Sequence, residues 1–386
     1  MKLKCFLLSF GILVLIHGLT AAVAQTWTQA SATTNYYWWS VAMSADGCKL
    51  AAVGSTDHPI FSTDAGATWH TNQSSPHAWN SIASSADGTK LVAPMVISNN
   101  YASIGIFVST NSGGTWTQTT APLSSWQYVT SSGAGDKLGA IMSNANSLGS
   151  IYVSTNSGLS WSKIGSPLKY WTSLACSADG TKFIATASGD KIYVSTNFGT
   201  TWTATTSPNA KWISVACNAD GTRLIASGSG TYTSTNSGGS WRLASTNTGA
   251  VASSADGTKL IIAGNSTFTS NDSGVTWISN SAPYSLNCVA SSADGSEWMV
   301  SAEYQTGIWI GRTVPSPQLN LGLVSSNLVL SWLVPSTNFA LQQTADLKTP
   351  NWVPLTNAPS LNPVNLQEQV TLSPANGGGF FRLITQ

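Results

Sequence analysis

The sequence predicts an all-β protein: a seven-bladed β-propeller closed by an N-terminal strand, followed by a small β-sandwich module. Three observations carry this. An Ala-Asp-Gly turn between short apolar strands recurs seven times, at Asp46, Asp87, Asp179, Asp220, Asp256 and Asp294, with a degraded copy at Ala134-Gly135-Asp136. A second element, Ser-x-Asp/Asn-x-Gly-x-Thr/Ser-Trp, falls between them at Ser62–Trp69, Ser109–Trp116, Ser154–Trp161, Ser195–Trp202, Ser234–Trp241 and Ser270–Trp277. The spacing of most copies, in the low forties, is the length of one four-stranded blade.

From the N-terminus, Lys2 and Lys4 precede the apolar run Cys5–Leu19, and Ala22-Val23-Ala24 supplies a small-residue cleavage site. This order reads as a signal peptide over residues 1–24. The run is shorter than the ~20 residues a membrane span requires. The mature chain is therefore expected to have no transmembrane segment and to be secreted, or held in the cell envelope or periplasm.

The propeller is assigned to residues 25–312. Within a unit such as Trp79–Ala93, Trp-x-Ser-Ile-Ala alternates as a strand, Ala-Asp-Gly turns tightly, and Lys-Leu-Val-Ala returns. The last unit has Ser292–Gly295 and Ile308–Gly311 but lacks the hairpin and the Trp-Thr strand after it. That strand sits at the other end of the chain as Thr26-Trp27-Thr28-Gln29, so a closed ring explains both halves and leaves only short edges. Val314-Pro315-Ser316-Pro317 marks a linker at 313–318. Beyond it, residues 319–386 carry strand-like runs at Leu328–Trp332, Phe339–Gln343, Asn351–Val353 and Gly379–Leu383, similar to a fibronectin type III or immunoglobulin-like sandwich.

Charged residues make up 8% of the chain, against about 25% in ordinary soluble domains. A net charge of +1 without a basic block argues against a nucleic-acid partner, which needs a cationic footprint. Cys48, Cys176, Cys217 and Cys288 match no zinc spacing, and His58, His70 and His77 form no ligand cluster, so neither metal nor cofactor is expected. Cys176 and Cys217 share one slot of successive repeats, which admits a bridge or two buried free thiols. The chain is expected to be a monomer.

The third position of the hairpin element is Asp64, Asn111, Asn156, Asn197, Asn236 and Asp272. Asn keeps the acceptor oxygen and loses the charge, so the position reads as a structural turn residue. These six elements resemble the Asp-box of the sialidase-type (BNR repeat) propeller superfamily, a resemblance that covers the whole ring. That superfamily includes sialidases, other glycoside hydrolases, sortilin-like receptors and propellers like the photosystem II stability/assembly factors. It implies the fold and no single activity.

The catalytic inventory is thin. The resemblance implies three arginines, a Tyr–Glu pair and an Asp acid for a sialidase, whereas Arg223, Arg242, Arg312 and Arg382 assemble no triad. A glycoside hydrolase needs two carboxylates. Nine of the twelve Asp belong to repeated turns and hairpins, which leaves Asp57, Asp190 and Asp346; of these Asp57 and Asp190, with Glu303, are weak candidates. The balance argues against an enzyme; if there is activity, glycoside hydrolysis is the expected class.

A ligand is expected at the face where the innermost strands begin. Trp38, Trp79, Trp126, Trp171 and Trp212 share one slot there, with Tyr36, Tyr37, Trp39, Tyr101, Tyr128, Tyr170, Lys169 and Lys211 nearby. Flat aromatics suit a glycan or a protein ligand. The same repetition also suits indoles that fill the space between blades. Two readings follow: a non-catalytic propeller that binds a glycan or protein, or an assembly or scaffold factor for a membrane or envelope complex.

Overall fold

The computed structural model describes the chain except residues 1–3, 8–12, 17–25, 31–36, 56–58, 72–76, 97–102, 143–147, 281–284, 303–306, 313–318, 325–326, 334–338, 346–350, 356–358, 363–366, 373–379 and 386. The described residues form strands and turns and no helix. In the N-terminal apolar run, Lys4–Leu7 pairs antiparallel with Leu13–Ile16.

Each repeat builds one antiparallel sheet in chain order from its innermost to its outermost strand. In the first, Trp38–Met43, Leu50–Gly54, Ile60–Ser62 and His70–Thr71 pair in that sequence. Sheets that begin with Trp126–Ser131, Trp171–Cys176, Ser214–Cys217 and Ala250–Ser253 follow the same order. In the second sheet the innermost strand is split into Ala78–Trp79 and Ala83–Ser84, both paired with Leu91–Val96. In the last, Leu286–Ser291, Glu297–Ala302 and Ile308–Arg312 are completed by Thr26–Gln29, with Trp27 opposite Gly311. The N-terminal strand thus pairs where the last repeat lacks its own.

The layering follows from the sequence. Second strands such as Leu91–Val96 and Leu260–Ala263 are continuous apolar runs and are buried at every residue, since sheets cover both of their faces. Outermost strands such as His70–Thr71 and Thr203–Ala204 are polar or small and exposed. Successive innermost strands touch one another around a circle, and Leu286–Ser291 touches Trp38–Met43.

A circuit of backbone hydrogen bonds fastens the turn end of that circle. Ala45 N–H donates to Ala86 O (2.7 Å), Ala86 to Gly133 (2.8 Å), Gly133 to Ala178 (2.7 Å) and Ala178 to Ala219 (2.7 Å). It continues from Ala219 to Ala255 (2.8 Å), Ala255 to Ala293 (2.6 Å) and Ala293 back to Ala45 (2.8 Å). Only a small side chain lets neighbouring backbones approach this closely, which explains Ala or Gly at that slot in every repeat.

The hairpin elements join this end from outside. Asp64 Oδ1 accepts from Thr68 N–H (2.8 Å) and Ser62 Oγ–H (2.8 Å). Asn111 Oδ1 makes the equivalent pair with Thr115 N–H (2.8 Å) and Ser109 Oγ–H (3.0 Å), so Asp and Asn are interchangeable there. Asn156, Asn197, Asn236 and Asp272 repeat the pattern. The left-handed backbone is not confined to glycine: Ala65, Ser112, Ser157, Phe198, Ser237 and Ser273 have φ of 55–60°, each directly before a glycine at 78–89°. Two consecutive left-handed residues are the geometry of a tight hairpin turn.

After the ring, Asn320–Val324, Asn327–Leu333, Gln367–Leu372 and Ser360–Asn362 form one antiparallel sheet, and Val353–Pro354, Phe339–Thr344 and Phe380–Thr385 a second. Leu330, Trp332, Val370 and Leu372 of the first meet Leu341 and Phe381 of the second in one cluster.

Candidate functional site

The central channel has two ends. At the turn end, the alanine circuit borders a cavity of about 170 Å³ lined also by Met43, Ser84, Cys176 and Cys217. Its hydroxyls are committed: Ser84, Ser131, Ser253 and Ser291 each donate to the carbonyl of the following residue. Cys176 and Cys217 are free thiols, with Cys217 Sγ–H donating to Cys176 O at 3.3 Å. Burial pushes Cys176 up to about 12, which keeps it protonated and unreactive. Among the described residues no His, Cys, Asp and Glu group could hold a metal ion.

At the opposite, loop end, the structure corrects the expectation of an indole crescent. Trp38, Trp79, Trp126, Trp171 and Trp212 are 0–3% exposed and lie between sheets rather than at the surface. Trp79 packs with Val53 and Phe61 of the preceding sheet, Trp126 with Val92 and Ile106, and Trp212 with Ile184 and Ile192. Their rings meet edge to face with Phe107, Tyr152, Tyr193 and Tyr232. No indole face is left for a ligand.

What the loop end does expose is the neighbourhood of those indoles. In four sheets a bulge follows the slot, with register shifts at Trp38/Ser40, Trp126/Tyr128, Trp171/Ser173 and Leu286/Cys288. The ladder register steps over one residue there, Trp39, Gln127, Thr172 or Asn287. Tyr37 is 49% exposed, Tyr128 40%, Tyr170 48% and Ile213 50%, and Trp39 is half-buried. Gln127, Ile213 and Asn287 were not singled out by sequence reasoning. The signal was present: the slot after the Trp reads Trp39, Asn80, Gln127, Thr172 and Ile213, the least repeated position in an otherwise repeated unit.

The next slot sets Tyr128 apart. Ser40, Ser81, Ser173 and Ser214 each accept a hydrogen bond from the following sheet's backbone, at Ile82, Val129, Val215 and Val251. Tyr128 replaces that serine in the third sheet. Cys288 occupies the same slot of the last sheet.

Of the candidate carboxylates, Asp190 is among the described residues. Asp190 pairs with Lys169 Nζ at 2.7 Å and accepts from Lys191 N–H (2.7 Å) and Tyr193 Oη–H (3.2 Å). The Lys169 hydrogen bond holds it below the usual carboxylate range, so it is ionised and occupied, unsuited to act as a general acid. Asp57, Glu303 and Tyr101 lie outside the described residues.

No protein-family model matches the chain. No curated protein matches it either. Solved structures do. A structure of YCF48 bound to a D1 peptide aligns over 78% of this chain and all of its own, at 18% identity and a TM-score of 0.56. YCF48 from Cyanidioschyzon merolae aligns over 74% of this chain and 98% of its own, at 16% identity and 0.55. A GH74 xyloglucanase from Xanthomonas campestris aligns over 80% of this chain and 59% of its own, at 14% identity and 0.59. At such identities the likeness speaks for the fold alone: the chain is a β-propeller.

Proposed function

We infer that the chain is a secreted or envelope-located binding propeller that holds an extended segment of a partner protein across its loop end. The observation that carries this is the exposed set Tyr37, Tyr128, Tyr170 and Ile213 with Trp39, in a region whose described carboxylate is already paired. Aromatic and aliphatic surface with little free charge suits apolar side chains of a peptide, and Lys211, exposed beside Trp212, adds one cation at the rim. The likeness to a propeller that was solved with a peptide supports the reading. The closed hydrogen-bond circuit supports a seven-bladed ring, the six hairpins a place in the Asp-box superfamily, and the two terminal sheets a sandwich module.

The test is capture of partners by the whole chain and by Tyr170→Ala and Ile213→Asp, with a glycan array and a polysaccharide hydrolysis panel run alongside. Proteins or peptides retained by the wild type and lost by both variants support the reading. Retention of glycans instead, or release of sugar, overturns it.

A further inference from the structure

The chain's own C-terminal module touches the turn end of the channel. Leu361, on the strand Ser360–Asn362, packs in one cluster with Ala45, Ala86, Ala255 and Ala293 of the alanine circuit. The repeated turns serve as an internal control for this contact. Ala45, Ala86 and Ala293 are buried, whereas Gly133, Ala178, Ala219 and Ala255 in the same slot are half-buried. Asp294 is buried, while Asp87, Asp220 and Asp256 are exposed. The footprint of the module therefore falls on the last, first and second sheets.

The Asp294 turn also differs from its counterparts in its electrostatics. At Asp87 and Asp256, partial burial is outweighed by bonds from the Ser and Thr hydroxyls and a backbone N–H, and the carboxyl sits below its ordinary range. Asp294 has the same kinds of partner, Ser292 Oγ–H at 2.9 Å and Ser296 N–H at 2.8 Å. Yet burial pushes it up to about 6 in spite of Lys259. Glu297 stands where the other repeats have Lys or Arg; burial raises it against the Arg312 pair at 3.2 Å, with Asp294 and Asp46 adding repulsion. Its Oε2 is buried and makes no hydrogen bond. Glu368, the ladder partner of Leu361, is raised by burial and then by Asp46.

The charges around this seam are few. Asp46 faces both glutamates, and Cys48 is raised by burial, then by Asp46 and Glu297. Lys49 is engaged with Asp87 O at 2.9 Å, Lys259 lies beside the Asp294 turn, and Arg312 is shared between Glu297 and Ala65 O. Three raised carboxyls and Asp46 thus meet three nearby cations, Lys49, Lys259 and Arg312, that offset them only in part.

We propose that the C-terminal module is a pH-operated stopper: Leu361 is seated on the alanine circuit while Asp294 and Glu368 hold protons, and it leaves when these two carboxyls ionise beside Asp46 and the paired Glu297. A carboxyl that binds its proton more tightly in the docked state favours docking in acid. That preference fades as pH rises from the undocked to the docked value. For Asp294, which burial raises to about 6, the preference for docking is lost as pH rises through about 6.

Small-angle X-ray scattering on the whole chain between about pH 4 and about pH 8 tests this. Wild type is expected to be compact in acid and extended at the alkaline end. Glu368→Gln and, independently, Asp294→Asn are expected to stay compact to higher pH, and Leu361→Ala to be extended throughout. Equal dimensions at both ends of the range in wild type overturn the proposal. So does a transition whose midpoint neither carboxyl variant moves.

Discussion

The burial of the slot tryptophans can be tested through a difference among them. Trp126 Nε1–H donates to Pro122 O at 3.0 Å and Trp212 Nε1–H to Asp190 O at 2.9 Å. Trp79 and Trp171 occupy the same slot, are just as buried, and their Nε1–H groups have no partner. Replacement by Phe removes similar volume at all four sites, so the cavity penalty is common to them. At Trp126 and Trp212 the change also deletes a hydrogen bond, a net loss of about 1 kcal/mol. At Trp79 and Trp171 it removes an unsatisfied donor and recovers a desolvation cost of the same order. Trp126→Phe and Trp212→Phe should therefore be less stable than Trp79→Phe and Trp171→Phe by about 2 kcal/mol. Urea unfolding followed by far-UV circular dichroism measures this, with the four midpoints compared at equal slope. Four equal midpoints would refute the reasoning. If instead any of these indoles were a ligand contact, its Phe variant would lose partner binding while still folded.

Two further outcomes follow from the hairpins. Gly113 has φ of 89°, and a Cβ there would lie 2.4 Å from the Phe61 ring, so Gly113→Ala should destabilise by more than the ~1–2 kcal/mol of the left-handed backbone alone. Gly114→Ala, whose Cβ would first meet Asn111 at 3.2 Å with an ordinary φ, should cost clearly less in the same melt. Asp64 is held down to about 2 by bonds from Thr68 and Ser62, against an ordinary 3.8, so its contribution is present above the ordinary value and is lost as pH falls through about 2. Asp64→Asn should flatten that acid limb and change little at neutral pH, whereas Asp64→Ala should lower Tm at every pH.

The architecture was legible because its signals are local and repeated. The Ala-Asp-Gly turn and the Ser…Trp hairpin fix strand ends within a few residues, and the orphan Thr26–Gln29 strand announced its pairing with Ile308–Arg312. The orientation of Trp126 was not legible, since a strand side chain points to one of two faces and a single bulge decides which. That bulge leaves no mark in Trp-Gln-Tyr-Val. The seating of Leu361 was also hidden, because the ring lies some seventy residues earlier at its nearest member and no pattern in the sequence links them.

Repetition separates structural from functional positions in this chain more sharply than residue type does. Lysines after the turns look like candidates for ligand charge, yet Lys90, Lys137 and Lys182 each donate to the next turn's backbone carbonyl, at 2.9, 2.6 and 2.7 Å. Asp190 looks like an acid and is a paired strut. A position that repeats is accounted for by a contact that repeats, so the positions that depart from the repeat are the ones left to carry specificity. They fall in two places: Trp39, Gln127, Tyr128 and Ile213 at the loop end, and Glu297 beneath the terminal module at the turn end. The two ends are joined by the buried ladders of the ring itself. The proposed partner site and the proposed stopper share no side chain, so substitutions at Ile213 should leave the pH dependence of the module's seating unchanged in the same scattering measurement.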